Sequence, residues 1–140
     1  LARADTNSRG ILIELKELKQ PCEIIADGVQ IQQVMLNLIR NAIDATEATG
    51  IENTRIVIMT KVTPEKDYVE ISVRDFGNGV SEDIRDRLFE PFVTLKKSGT
   101  GMGLSISRSI VDAHGGDIWA EHLDPGTRFC FILPIAVGEK

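Results

Sequence analysis

Three alternating glycines stand directly before a helical pattern, in the run Gly99-Thr100-Gly101-Met102-Gly103-Leu104. Glycine lets a backbone approach a bulky anion and adopt positive φ without a steric penalty. A helix that begins at such a run points its unpaired N–H groups and the positive end of its dipole at the same place. The run therefore indicates a phosphate site, although a glycine-rich loop on its own can also be an ordinary hinge.

Two amides and a carboxylate share one stripe of the helix that we predict over residues 28–48. Asn37, Asn41 and Asp44 are spaced by four and three residues, and side chains at that spacing lie on one helix face. Amide oxygens can coordinate Mg²⁺, which takes few protein ligands and completes its shell with phosphate oxygens and waters. The alternative is a solvated helix face that binds no ligand.

A carboxylate is predicted to point toward the core from the end of a strand. Asp75 follows apolar residues at positions 69, 71 and 73, so it lies on their side of the sheet. A carboxylate there needs hydrogen-bond donors, and the exocyclic amine of adenine is a suitable one. Gly77 and Gly79 leave room for a flat ring against the backbone. The alternative is an Asx-type turn with Asp75 in solvent.

Thr127 has the same property on the last predicted strand. It alternates in step with Phe129, Phe131 and Leu133, so its hydroxyl also faces the core. That hydroxyl could bind the edge of a base directly or through water. By itself, such a residue is more often just a strand-start threonine.

Residues 89–101 contain few periodic apolar positions and are predicted to form a long loop. Phe89 and Phe92 could anchor this loop as a mobile lid, and Lys96 and Lys97 supply positive charge. A lid that closes over phosphates needs both a hinge and a cation. A charged surface loop without a ligand is the alternative.

The elements that must position these groups follow from periodicity and turn signals. Asp27 is a good N-cap for the first long helix. A short helix is predicted from Ser81 to near Leu88, and a second long helix over residues 102–113. Strands are predicted at about 11–15, 55–62, 68–75, 117–122 and 127–133. The sum is an α+β two-layer sandwich, a mixed sheet of about five strands packed on two long helices plus a short one.

Composition and charge exclude several classes of protein. The 140 residues suit one domain. A net charge of −5 argues against nucleic acid as the main partner, and no apolar stretch approaches the roughly 18 residues of a membrane span. Cys22 and Cys130 lack metal-ligand spacing and are expected to pack in a reducing cytoplasm. There is no Gly-x-x-x-x-Gly-Lys-Ser/Thr motif, which excludes a Walker-type NTPase.

Together, these clusters resemble the ATP-binding catalytic domain of sensor histidine kinases, in the Bergerat-fold ATPase superfamily. The resemblance runs from about residue 22 to residue 135, with five motifs in the family's order. They are the asparagine box at Asn37 to Ala42, the adenine-binding box at Asp75 to Gly79, the phenylalanine box at Phe89 to Phe92, the second glycine box at Gly99 to Leu104, and the adenine-side motif at Gly126-Thr127.

The resemblance implies a role for each matching residue. Asn41 would bind Mg²⁺, with Asn37 close to the metal and phosphates, and Lys96 would approach the terminal phosphate from the lid. Asp75 would accept a hydrogen bond from the adenine amine. The other implied ATP-binding residues are Gly77, Gly79, Phe89, Phe92, Gly99, Thr100, Gly101, Met102, Gly103, Leu104 and Thr127. One departure is Asp44, which stands where many relatives have a basic residue.

The implied activity is that of a protein-histidine kinase, with Asn37 and Lys96 as the catalytic residues. The γ-phosphoryl group of Mg·ATP would pass to a histidine on a dimerisation domain outside this chain, and a response regulator would act downstream. Hydrolytic relatives place a glutamate where this chain has Asn37, and an amide cannot take a proton. A neutral imidazole needs less help, so Asn37 favours a histidine acceptor. The alternative is an ATP-binding sensor or ATPase-type module without kinase activity.

The implied organisation has three parts. Residues 1–10 would be a linker from a preceding dimerisation and phosphoacceptor hairpin, residues 11–135 the ATP-binding domain, and residues 136–140 a tail. The chain lacks an initiator Met, which suggests a piece of a longer protein. The domain is expected to be cytoplasmic without direct membrane contact, in a full-length protein that can be membrane-anchored.

Overall fold

A six-stranded mixed sheet carries two helices on one face. The computed structural model describes residues 2–5, 11–16, 24–52, 54–65, 67–93 and 102–136. The elements in chain order are β1 (Ala2–Asp5), β2 (Leu12–Lys16), α1 (Gly28–Glu47), β3 (Arg55–Val62), β4 (Tyr68–Arg74), α2 (Gly103–Ala113), β5 (Asp117–His122) and β6 (Thr127–Pro134). The strand order is β1-β2-β3-β4-β6-β5. Only the β2–β3 pair is parallel among these strands.

The predicted fold class is confirmed, with two differences in detail. The sheet has one strand more than expected, because Ala2–Asp5 pairs with β2 within the residues predicted to be a linker. The short helix predicted from Ser81 is reduced to a single 3₁₀ turn, Arg85–Arg87. The long loop is described only to residue 93, where it consists of turns.

Helix α1 begins as its sequence predicts. The Asp27 carboxylate accepts hydrogen bonds from the backbone N–H groups of Val29 and Gln30, at 3.0 and 3.2 Å. These bonds satisfy two of the donors that a helix start leaves unpaired. The fully buried stripe runs at four-residue spacing through Val34, Leu38, Ala42 and Thr46. Asn37, Asn41 and Asp44 therefore lie beside this stripe and not on it.

The core lies between the helices and the inner face of the sheet. Its fully buried side chains include Leu38 of α1, Val111 of α2, and Ile56, Val73 and Phe131 of the sheet. Burying an aliphatic or aromatic side chain of this size stabilises the fold by roughly 1.5–3 kcal/mol. This core packs β4 against α1, and β5 and β6 against α2. In the described residues, no helix is both long enough and apolar enough to cross a membrane.

Cys130 is packed within the sheet as a free thiol. Burial raises the pKa of this thiol to about 12, so it stays protonated and inert at neutral pH. This agrees with the predicted packing role. Cys22 lies outside the described residues.

Candidate functional site

A cavity of about 460 Å³ opens between α1, the loop after β4 and the start of β6. This volume lies within the range of small-molecule sites. Its lining combines apolar side chains with a few polar groups: Asn41, Asp44, Ala45, Ala48, Asp75, Asn78, Gly79, Val80, Ser81, Ile84, Thr127 and Phe129. Four of the predicted site residues thus meet in one place, namely Asn41, Asp75, Gly79 and Thr127.

Asp75 is a buried carboxylate on the wall of this cavity, only 2% exposed. Its Oδ1 accepts a hydrogen bond from the Gly77 N–H at 2.9 Å, and its own N–H donates to the Thr127 carbonyl at 2.9 Å. Burial raises the pKa of the Asp75 carboxyl, and the backbone donors at Gly77 and Thr127 oppose that rise. The two alternatives for Asp75 are therefore combined, because the Asx turn forms and the carboxylate is still buried.

Glycine is required at two positions that shape the cavity. A Cβ atom at Gly77 would lie 2.7 Å from the Ala45 carbonyl oxygen, so only glycine lets this loop lie against α1. Gly126 has φ +92°, and a Cβ there would overlap the Asp75 carbonyl oxygen. The turn before β6 therefore packs directly on the backbone of Asp75.

The inner face of β6 forms the apolar floor of the site. Thr127 is 2% exposed, as the strand alternation predicts, and Phe129 lies next to it on the same face. The Phe89 ring packs edge-on against Phe129, with 6.4 Å between ring centroids. Phe89 thus packs on the core at the start of the predicted loop. The Phe92 side chain, in contrast, is 79% exposed, and its φ is +71°.

Asn37 connects the two helices instead of lining the cavity. Its Nδ2 donates to the Gly103 carbonyl oxygen and to the Ser107 hydroxyl, both at 3.1 Å. This places the Asn37 amide beside the first turn of α2, where the leading N–H groups have no partner within the helix. Met102 is the N-cap position of α2, and Leu104 is buried in the core. Asn37 and the glycine-box helix are therefore neighbours, as the predicted phosphate site requires.

Part of the predicted site lies outside the described residues, namely Lys96, Lys97, Gly99, Thr100 and Gly101. Other lining residues were not predicted. Val80 and Ile84 follow the adenine-binding box as isolated apolar residues, and Phe129 shares the parity of Thr127. Because Phe129 alternates in step with Thr127, the strand pattern could have identified it as a lining residue. Asn78 and Ser81 carried no comparable signal.

The donor set fits Mg²⁺ held jointly with a nucleotide. Asn41 and Asp44 offer an amide oxygen and a carboxylate on the same cavity wall. In the described part of the chain, no group of three His, Cys, Asp or Glu side chains could hold a metal ion by itself. A few protein oxygens completed by phosphates and waters are the usual environment of Mg²⁺.

Comparison with known proteins shows which family this chain resembles. A family model described as histidine kinase-, DNA gyrase B-, and HSP90-like ATPase matches residues 26–137. The sensor protein FixL of Bradyrhizobium diazoefficiens is 46% identical over 114 residues, which are 81% of this chain and 22% of that protein. The sensor histidine kinase TmoS of Ectopseudomonas mendocina is 36% identical over 138 residues, 99% of this chain and 14% of that protein.

Solved structures share the same architecture. The nucleotide-free catalytic domain of histidine kinase ThkA matches with a TM-score of 0.77 and 36% identity, over 90% of this chain and 81% of that chain. Full-length ShkA in complex with AMPPNP gives a TM-score of 0.76 and 32% identity, over 91% and 26% of the two chains. Histidine kinase ThkA in complex with the response regulator TrrA gives 0.74 and 32%, over 94% and 36%.

Proposed function

This chain belongs to the family of histidine kinase-, DNA gyrase B- and HSP90-like ATPases, and on that premise we propose that it is the ATP-binding catalytic domain of a sensor histidine kinase. The chain covers less than a quarter of the length of the two relatives described above. The activity of the whole protein is therefore part of the proposal. Its substrates would be Mg·ATP and a histidine on a separate domain.

The observation that carries the proposal is the buried Asp75 carboxylate on the cavity wall. Burying a carboxylate is costly, and a donor from the cavity would offset that cost beyond what the backbone donors at Gly77 and Thr127 provide. The adenine amine is such a donor, and the Thr127 hydroxyl beside Asp75 can bind the same ring edge. The apolar Phe129, Val80 and Ile84 suit the faces of a flat ring. The recognition of adenine follows from these groups together.

The triphosphate would extend from this base site along α1 toward the start of α2. Asn41 lies on that path and would supply an oxygen ligand to Mg²⁺, which when bound neutralises phosphate charge. The first N–H groups of α2 would bind the phosphates. Lys96 would add a positive charge from the lid, as in the family that the chain resembles. Asn37 would hold the α2 start in place through its bonds to Gly103 and Ser107.

Phosphoryl transfer needs only positioning from these residues. A lone pair on an acceptor imidazole nitrogen forms the new N–P bond, while the bond from the γ-phosphorus to the bridging oxygen breaks and its electron pair leaves with ADP. The imidazolium then loses its N–H proton to solvent. The reacting groups must be held in line, and alignment alone can supply much of the rate enhancement. No side chain has to act as a general base, which is consistent with an amide at Asn37.

The proposal implies two partners in the full-length protein. One is a helical hairpin that carries the acceptor histidine and precedes this domain. The other is a response regulator, since histidine kinase ThkA has been solved in complex with one. The second candidate function, an ATP-binding module without kinase activity, is favoured if ATP binds but no histidine is labelled.

Calorimetry with Mg·ATP tests the adenine site. We expect Asp75→Asn to weaken ATP binding about 10- to 100-fold, the size of a hydrogen bond to a charged group. If the amide oxygen of asparagine keeps the Gly77 N–H, its NH₂ group replaces the second carboxylate oxygen and faces the adenine amine, which is another donor. Asp67→Asn is the matched control, because Asp67 lies exposed before the opposite end of β4. Unchanged affinity in a folded Asp75→Asn variant would contradict the adenine role.

Phosphotransfer to a separate hairpin tests the kinase assignment. The domain is mixed with Mg·ATP and with the histidine-bearing hairpin from the same full-length protein. We expect acid-labile phosphate on the hairpin, and none when its histidine is replaced by glutamine. ATP binding without any transfer would favour the module without kinase activity.

A further inference from the structure

Arg74, the last residue of β4, connects the two loops that carry the proposed adenine-binding groups. Its Nε donates to the Asp75 carbonyl oxygen at 3.2 Å, and its Nη2 donates to the Pro125 carbonyl oxygen at 3.0 Å. Pro125 lies in the turn just before Gly126 and Thr127. One guanidinium group therefore bridges the backbone of the Asp75 loop and the backbone of the Thr127 turn.

The same guanidinium also packs against an aromatic ring. Its central carbon lies 4.2 Å from the centroid of the Phe76 ring, and the guanidinium of Arg55 lies 4.9 Å from that centroid. Arg55 in turn pairs with Glu14 of β2 at 3.4 Å. Cation–π contacts at these distances are attractive. The ring thus orients the planar group whose two N–H donors face the two carbonyls.

The positive charge of Arg74 is unfavourable at this position unless the contacts with the two carbonyls and the aromatic ring compensate for it. Partial burial lowers the pKa of the Arg74 guanidinium, and the nearby positive charges of Arg128 and Arg55 lower it further, while Asp75 opposes them. Gathering three guanidinium groups costs free energy through like-charge repulsion. The two carbonyls and the aromatic ring offset this cost at Arg74. The Asp75 carbonyl that Arg74 holds is also the one on which Gly126 packs.

We propose that Arg74 is a positioning residue for base recognition, which fixes the spacing between the Asp75 carboxylate and the Thr127 hydroxyl. The proposal rests on the proposed function, because it assumes that these two groups bind adenine. Arg74 itself touches no nucleotide in this account. It acts through the backbone, and its loss would let the Asp75 loop and the turn before Thr127 move apart while the cavity remains.

The test compares two nucleotides that differ at the atom facing Asp75. Inosine triphosphate carries a carbonyl oxygen where ATP carries the exocyclic amine. The ratio of the two dissociation constants therefore measures base recognition separately from phosphate binding. The ratio is determined by calorimetry, in the presence of Mg²⁺, for the wild-type chain, Arg74→Gln, Arg74→Lys and Arg128→Gln. Arg128 is the matched control because it pairs with Arg74 across β4 and β6, yet its side chain binds Glu121.

We expect Arg74→Gln to reduce the preference for ATP over inosine triphosphate by about tenfold, which corresponds to one coupled hydrogen bond. Arg74→Lys should also lose most of the preference for ATP, since a lysine cannot bridge both carbonyls in one plane. Arg128→Gln should keep the wild-type ratio. General destabilisation would weaken both nucleotides equally, so an unchanged ratio in a folded Arg74→Gln variant would overturn the proposal. A wild-type ratio in Arg74→Lys would also overturn it, because charge alone would then suffice.

Failure of the proposed function gives a different result. In that case the wild-type chain does not bind Mg·ATP, or binds both nucleotides with equal affinity. The positioning role is judged only against a wild-type preference for ATP. The two failures are therefore distinguishable in the same titrations.

Discussion

The contributions of Asp75 to base recognition and to folding stability depend on pH with opposite signs. Burial raises the pKa of the Asp75 carboxyl, so the free domain holds this proton to a higher pH than an exposed aspartate would. The adenine amine needs the ionised carboxylate as an acceptor. Base recognition should therefore weaken on acidification, as the pH falls through the raised pKa. The loss begins at a higher pH than for an exposed aspartate.

The measurement is the preference for ATP over inosine triphosphate between pH 7 and pH 5.5, above the range in which the adenine ring itself takes up a proton. We expect it to fall with pH in the wild-type chain and to stay flat in Asp75→Asn, because phosphate titration affects both nucleotides alike. Folding stability should respond with the opposite sign. A raised native pKa stabilises the fold most below the unfolded-state pKa, and this contribution is lost as pH rises through the native pKa. A preference that does not depend on pH would refute this account of Asp75.

Residue patterns predicted the buried groups but not those that hold them in place. The inward direction of Asp75 and Thr127 follows from alternation along each strand, which is a local property. The bridge from Arg74 to Pro125 joins residues 51 positions apart, and no periodicity connects them. The role of Asn37 is a similar case, because its bonds to Gly103 and Ser107 span more than 60 residues.

Among the elements, the turn between β5 and β6 has no room for a side chain at Gly126. Gly126 adopts φ +92° and packs on the Asp75 backbone. We expect Gly126→Ala to lower the free energy of unfolding by about 2–5 kcal/mol, as a positive φ costs roughly 1–2 kcal/mol and overpacking roughly 1–3 kcal/mol. Urea denaturation measures the change. ATP affinity should also fall, because the Asp75 loop must shift to admit the new methyl group.

Gly28→Ala is the matched control for this substitution. Gly28 begins α1, and a Cβ atom there would meet nothing within 4 Å. We expect a change near zero or a slight stabilisation, since alanine is the better helix former. Equal effects of the two substitutions would show that the packing of the turn on Asp75 is not what requires glycine.

Long elements with strong periodicity were predicted well, and short ones were not. The cap at Asp27 and the helical spacing of apolar residues from Ile31 to Ala45 placed α1 within a residue of its observed bounds. Strand β1 was missed because four residues carry little periodicity, and its stability comes from pairing with β2. The segment after Ser81 was overestimated, because Ser81, Asp83 and Ile84 indicate a helix start while the chain forms only a 3₁₀ turn at Arg85–Arg87.

The architecture of the whole molecule determines which strand ends meet. The sheet order places β6 between β4 and β5, so Asp75 and Thr127 lie at adjacent strand ends although β5 separates the two strands in sequence. Such long-range pairing cannot be derived from alternation, which predicts faces and not neighbours. The expectation that Asp75 and Thr127 meet at one site came from the resemblance to a known family. The apolar faces of the helices and strands, which can be predicted from the sequence, pack together in the core.

The arrangement of the histidines leads to a prediction about the chain by itself. His114 and His122 are its two histidines. The His114 Nε2 accepts the Asp27 N–H at 3.1 Å, and its Nδ1 lies 2.8 Å from the Ile110 carbonyl oxygen. His114 also caps the end of α2 opposite the proposed phosphate site, and an eleven-residue helix is about 16 Å long. His122 pairs with Thr127 at the base end of the site, and its Nδ1 is buried.

Neither imidazole can therefore reach the γ-phosphorus of a nucleotide bound in this orientation. We expect the chain, incubated with Mg·ATP at a concentration that saturates the site, to acquire no acid-labile phosphate above background. The double variant His114→Gln and His122→Gln should behave identically, with both forms binding ATP by calorimetry. Acid-labile label that His114→Gln or His122→Gln removes would place the acceptor within this domain. The phosphates would then have to bind at the other end of the cavity from α2, against the orientation that Asp75 and the α2 N-terminus together require.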